Sequence, residues 1–225
     1  AWLRGKPASE QQQAVRPDTA AIRPPTPAPE EEPIRTLADG LVDAAGSAGA
    51  VDKRAVVDEL VKVPRGGLLA LKRKGTRVVV CRGSVTEVMS ELRGVRPRGW
   101  PPGKTWDDVP GLFDPNGNRV IVATRDGVLP RTGQGHGSAN LVLHEVGHAI
   151  DHAGGDSSNE AFVAAREKDV GNLTAYERQE GEAGLSESYA EGIARFLSNP
   201  RRYRREFPAM YEYWSSNPFD QLGGE

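Results

Sequence analysis

His144-Glu145-Val146-Gly147-His148 joins two imidazoles and a carboxylate in the spacing HExxH. On a helix, residues four apart point the same way, so both imidazoles can reach one Zn²⁺ at about 2.0–2.1 Å. Glu145, one position on, then faces a water on that metal and can act as the general base, passing the proton to a leaving amine. The flanking Leu141, Val142, Leu143, Val146 and Ile150 read as a buried helix. Burying two imidazoles beside a carboxylate without a metal would be costly, which weighs against a chance pattern on a polar face. The reading is one Zn²⁺ per chain with His144 and His148 as ligands.

A third ligand must come from elsewhere. His152 continues the four-residue rhythm but stands about 12 Å along the axis from His144 at 1.5 Å per residue, too far for one tetrahedral ion that also holds His148. The extended metzincin spacing would put glycine and histidine at 151 and 154, where the chain has Asp151 and Gly154. Asp151 shares a continuous helix with His148, so it fits better as a group orienting a ligand than as a ligand. The stretch Glu187-Ser188-Tyr189-Ala190-Glu191 offers two carboxylates on one helical face, with Tyr189, Ile193, Phe196 and Leu197 as apolar packing. Such a pair suits a gluzincin site, one carboxylate on zinc and the other fixing a histidine's second nitrogen. Without HExxH upstream, it would read as a solvated acidic pair. Glu187 is the expected ligand and Glu191 its support.

HEVGHAID and ESYAEGIARFLSNP together resemble the gluzincin peptidase family of anthrax lethal factor and the Pro-Pro endopeptidases, more loosely from about Gly66 to Trp214. The resemblance implies a zinc endopeptidase and carries the ligand role to Glu187 and the supporting role to Glu191. It also implies a protein or peptide substrate, proline-rich in one branch, and a catalytic domain of a larger secreted bacterial toxin or effector. On that reading upstream delivery domains precede it, and it acts outside the cell or inside a target cell. The family carries an oxyanion-binding tyrosine seven residues before the ligand glutamate, where this chain has Glu180. Tyr176 lies eleven before it, and a short insertion through Glu180-Gly181-Glu182-Ala183-Gly184 would let it take that role. Tyr189, two residues from Glu187, points off the metal face. The competing class is a zinc-stabilised binding module without catalysis.

Composition narrows the rest. Lys+Arg 29 against Asp+Glu 31 gives a net charge of −2, so a bulk basic footprint for nucleic acid is absent. Cys81 is the single cysteine, which excludes a disulfide framework and any thiolate-built metal site within the chain. No apolar run approaches the roughly 18 residues of a membrane span. A monomer is expected. Gly 26 and Pro 17 exceed the roughly 12% usual for the two together. Many of the prolines lie before residue 36, so residues 1–36 read as a proline-rich linker and 37–225 as the peptidase domain. The chain starts at Ala1 and reads as a segment of something longer.

The elements around the motifs read as α+β, a small mixed or antiparallel sheet packed with helices. Helices are expected near Leu37–Ala45, from an N-capping Asp52 to Val63, from Ser84 to Leu92 behind a Ser84/Glu87 capping box, and over Ser138–Ala153. Two more follow, from Ser157 to Lys168 and from Ser186 to Ser198, the last ended by Asn199-Pro200. Leu68–Leu71 and Val78–Cys81 read as one strand pair, Gly111–Phe113 and Arg119–Ala123 as another. The strand Arg119–Ala123, just before the active-site helix, is expected to be an edge that pairs with extended substrate.

Overall fold

A computed structural model describes residues 31–97 and 102–223. The proline-rich reading of residues 1–30 lies outside them. Helices α1 (Ile34–Leu41), α2 (Ala50–Leu60) and α3 (Arg65–Lys74) bracket the short strand β1 (Val42–Ala44) and lead into β2 (Arg77–Arg82). Strands β3 (Gly111–Asp114) and β4 (Arg119–Thr124) precede α4 (Leu141–Ile150), a π-turn over Asp151–Gly155, and α5 (Glu160–Asp169). The chain closes with α6 (Gly181–Ser198), α7 (Pro200–Glu206), α8 (Pro208–Ser215) and α9 (Phe219–Gly223). The class is α+β.

The four strands form one mixed sheet in the order β1-β2-β4-β3. β1 and β2 run parallel, as do β2 and β4, with Val78 opposite Val120 and Val80 opposite Val122; β3 pairs antiparallel to β4, Gly111 opposite Val122. Alternation sorts the sheet's side chains to two faces. Val78, Val80, Val120 and Val122 join the main core with Leu141, Val142 and Val146 of α4, while Cys81, Ile121 and Ala123 meet Val85 and Val109 on the other face.

Four expectations are corrected here. Leu68–Leu71 lie in α3, not a strand: Leu68 and Leu71 are both fully buried at helical spacing, and the helix closes on Gly75 at φ 74°. A short apolar run carries no period of its own, so its flanking breakers decide. The Ser84–Leu92 helix is two short 3₁₀ turns, Val85–Glu87 and Ser90–Leu92. Ser84 Oγ pairs with Thr86 Oγ1 at 2.7 Å and makes no capping bond. Residues 42–44 form β1 rather than extending the first helix. The strand β4 is interior, flanked by β2 and β3, so among the described strands the edge beside the active-site helix is β3.

Asp52 is the third residue of α2 rather than its cap. Its carboxylate is fully buried and accepts from Gly49 N, Thr124 Oγ1, Gly127 N and Arg82 Nε at 2.9, 2.7, 2.8 and 3.1 Å. These bonds, led by the Gly49 N–H, hold its carboxyl far below the usual carboxylate range. They tie the end of β4 and the start of the loop before α4 to the helical layer.

Candidate metal centre and cleft

Asn140 caps α4, its side chain accepting from Leu143 N at 3.1 Å. The helix buries Leu141, Val142, Leu143, Val146, Gly147, Ala149 and Ile150, leaving His144, Glu145 and His148 to line a cavity of about 700 Å³. α6 crosses directly beneath. A Cβ on Gly147 would sit 2.7 Å from Ala190 Cα, so only a glycine lets the two backbones approach this closely. Gly147 lies between His144 and His148, and Ala190 between Glu187 and Glu191. The contact therefore sits at the centre of the four side chains.

The ring nitrogens divide their work. His144 Nδ1 meets Glu191 Oε2 at 3.1 Å and His148 Nδ1 meets Ser186 Oγ at 3.0 Å. The two Nε2 atoms stand 3.2 Å apart, and Glu187 Oε2 lies 3.5 and 3.6 Å from them. Atoms each about 2.0–2.1 Å from a tetrahedral ion stand about 3.3 Å from one another, so these three fit one small divalent metal. Glu187 Oε2 is buried and has no hydrogen-bond partner, the state expected of an oxygen meant for a cation.

Electrostatics agree. Burial opposes charge on the His144 imidazole, yet Glu187, Glu191 and Glu145 outweigh it and raise its pKa to about 10. Burial likewise works against an ionised Glu187, but His144 and His148 bring its carboxyl down to about 2. The cluster favours positive charge among its carboxylates.

Behind the ligands, Glu191 Oε1 accepts from Ala139 N at 2.9 Å and pairs with Arg195 Nε at 3.2 Å. Arg195 also forks onto Glu177 at 2.7 and 2.9 Å. Glu187, Glu191 and Arg195 form a ladder four residues apart on α6, a spacing visible in the sequence. Ser186 beside Glu187 carried no such signal, and Glu177 acquires its role only through tertiary contacts.

Tyr176 lines the same cavity as His144, Glu145, His148 and Glu187, despite its longer spacing from Glu187. The chain returns through Gly181 at φ 73°, and a Cβ on Gly184 would collide with Gln179 O. Although much of Tyr176 is exposed, desolvation of its hydroxyl in the cavity, reinforced by the Glu187 charge, raises it to about 12, so it keeps its proton as a donor. Tyr189 is core: its hydroxyl donates to Gly155 O at 2.9 Å and its ring packs on Phe162 and Trp214. Asp151 accepts from Ser157 N at 2.7 Å, and no described bond joins it to His144 or His148. His152 packs its ring on Phe113.

The cavity's other wall holds Trp106, Gly111, Leu112, Phe113 and Pro115, most of them on or beside β3. A Cβ on Gly111 would lie 2.5 Å from Leu141 Cδ1 and 3.2 Å from Glu145 Cγ, so β3 lies close along α4. The His136 ring, between Ser138 Oγ and Pro130 O, shapes the loop that enters α4.

Two histidines on one helix, a carboxylate from a second and Glu145 beside them make a group that could hold a metal ion, open to a cleft. Residues 47–217 match the family described as anthrax toxin lethal factor, N- and C-terminal domain, and the chain belongs to that family. Among its relatives is a Pro-Pro endopeptidase of Clostridioides difficile (strain 630), 39% identical over 120 residues, which are 52% of this chain and 52% of that protein. A Pro-Pro endopeptidase of Paenibacillus alvei is 33% identical over 169 residues, 71% of this chain and 74% of that one. The chain thus spans about half the length of the first relative and about three quarters of the second. The solved structure of PPEP-2 from Paenibacillus alvei superposes with a TM-score of 0.65 at 30% identity, covering 80% of this chain and 98% of that one.

Proposed function

We propose that this protein is a zinc-dependent endopeptidase in which His144, His148 and Glu187 hold the metal, Glu145 moves the proton and Tyr176 binds the oxyanion. The observation that carries the reading is the convergence of three donor atoms at tetrahedral spacing, one of them a buried carboxylate oxygen without a partner. When bound, zinc would polarise the scissile carbonyl and acidify the attacking water. The Glu145 carboxylate takes the proton from that water as its oxygen joins the carbonyl carbon, then delivers it to the departing amine nitrogen as the C–N bond breaks. The Tyr176 hydroxyl donates to the oxygen on which negative charge develops. Glu191 and Ser186 keep each imidazole in the tautomer that directs Nε2 forward.

The names of both relatives favour a peptide with consecutive prolines as substrate. The apolar wall of Trp106, Leu112 and Phe113 suits such a chain, which exposes hydrocarbon rings and few N–H donors. Backbone pairing would fall to the outer side of β3, since β4 is covered on both sides.

The test combines zinc stoichiometry with cleavage of a fluorogenic peptide carrying a central Pro-Pro pair. About one zinc per chain is expected, with turnover lost by a factor of about 10³ in Glu145→Ala, which should retain the metal. Cleavage that survives in Glu145→Ala sinks the reading. Zinc uptake without turnover of this peptide or a peptide library favours the binding module instead.

A further inference from the structure

Tyr176 is 62% exposed, while Glu177 beside it is 2% exposed and held from all sides. The Glu177 carboxylate takes the Arg195 fork on both oxygens and, on Oε2, the Thr174 N–H at 3.0 Å and the Thr174 hydroxyl at 2.7 Å. Its backbone carbonyl accepts from Arg166 Nη2 at 2.6 Å and Ser188 Oγ at 3.0 Å. Arg166 in turn donates from Nε to Ser188 Oγ at 2.8 Å. Residues from α5, α6 and the turn itself thus close on one acidic residue. It lines the same cavity as Tyr176 and His144 but makes no described bond to His144, His148 or Glu187.

A buried carboxylate is costly unless its acceptor sites are filled, and a bidentate Arg pair inside a set of backbone bonds defines position as well as energy. Here the position defined is that of the next residue. Between Thr174 and Glu180 the chain has turns but no helix or strand, so no regular ladder places the Tyr176 ring. We propose that Glu177, clamped by Arg195, is the positioning residue that holds the Tyr176 hydroxyl over the metal donors. It does so by fixing the backbone of the turn rather than by touching substrate. The inference rests on the peptidase reading above and assigns its control of rate to a residue outside the HExxH and ExxxE patterns.

The consequence is a dependence of one residue on the other. On the Pro-Pro fluorogenic peptide with zinc-loaded enzyme, Tyr176→Phe should lower kcat by about 10²-fold. Glu177→Gln keeps the shape but not the charge, and should lower kcat by about 10-fold with KM held within about twofold. In a Tyr176→Phe background the same Glu177→Gln change should cost less than about twofold more, because the group it positions is gone. Zinc affinity, read by chelator competition, should match wild type in Glu177→Gln. If that variant does not fold, Thr174→Val removes one donor to the same carboxylate and should give a smaller loss with the same dependence on Tyr176. Equal losses in both backgrounds overturn the proposal. So does a fall in zinc affinity that matches the fall in kcat, since Glu177 would then act through Arg195 and Glu191 on His144. An active wild type with an inactive Glu145→Ala leaves the peptidase reading standing in either case.

Discussion

His144, His148 and Glu187 are borne by two helices in backbone contact at Gly147 and Ala190, whereas Tyr176 reaches the same cavity on a turn held by the clamp on Glu177 beside it and by Gln179 on its own carbonyl. In the first region the positions follow from helical geometry, and each side chain needs only one more partner to fix it. In the second a cluster of long-range bonds substitutes for regular structure. On the proposed function, the difference separates two properties that are easily merged: the helical corner would govern whether the metal stays, and the turn how fast the bound peptide reacts.

Substitutions that add one methyl group to each region offer the sharpest contrast. Gly184→Ala places a Cβ against Gln179 O, so the turn cannot fold back as it does. We expect kcat to fall by about 10²-fold with zinc content unchanged, measured by turnover and metal analysis on the same sample. Loss of zinc in that variant would join the two regions and break the contrast. Glu191→Gln weakens the carboxylate on His144 Nδ1, and zinc affinity should drop about 10- to 100-fold by chelator competition, with kcat of the fully loaded enzyme much less affected. Gly147→Ala forces the helices apart. It should lower zinc affinity about 10-fold and stability by about 1–3 kcal/mol in denaturant unfolding. Ser186→Ala removes a neutral hydroxyl from His148 Nδ1 and should weaken zinc binding only a few-fold.

The smallest expected effect lies away from both regions. The folded-state pKa of Asp52 is depressed below its ordinary 3.8, so it contributes stability in full above about pH 4 and loses it as pH falls through the folded value. Thermal melts of wild type should decline on acidification below pH 4 more steeply than those of Asp52→Asn, which starts lower at pH 7. Parallel acid limbs would show that the loop before α4 does not depend on this carboxylate.

What could be read from the sequence divides along the same line. HExxH and the pair Glu187/Glu191 were legible because a helix converts spacing into direction, and the β3–β4 pair because Asp114-Pro115-Asn116-Gly117 marks a turn between apolar runs. The α3 helix was hidden because four apolar residues fit either period. The strand β1 was hidden because its three residues owe their conformation to pairing with β2. The place of β4 inside the sheet depends on crossover topology, which no local pattern records. Glu177 reads as one acidic residue among many in AYERQEGE. Only the fold brings Arg166 and Arg195 to it, across eleven and eighteen positions of chain.

The hydrogen atom that stands in place of a side chain on the α carbon of Gly147 acts as the spacer between two rods. Because the donor atoms hang from both rods on either side of that spacer, the gap between them is a mechanical dimension of the backbone. On the proposed function, selectivity for the size of the ion would belong partly to a residue that cannot bind one, and tuning it would call for changing the crossing rather than the ligands.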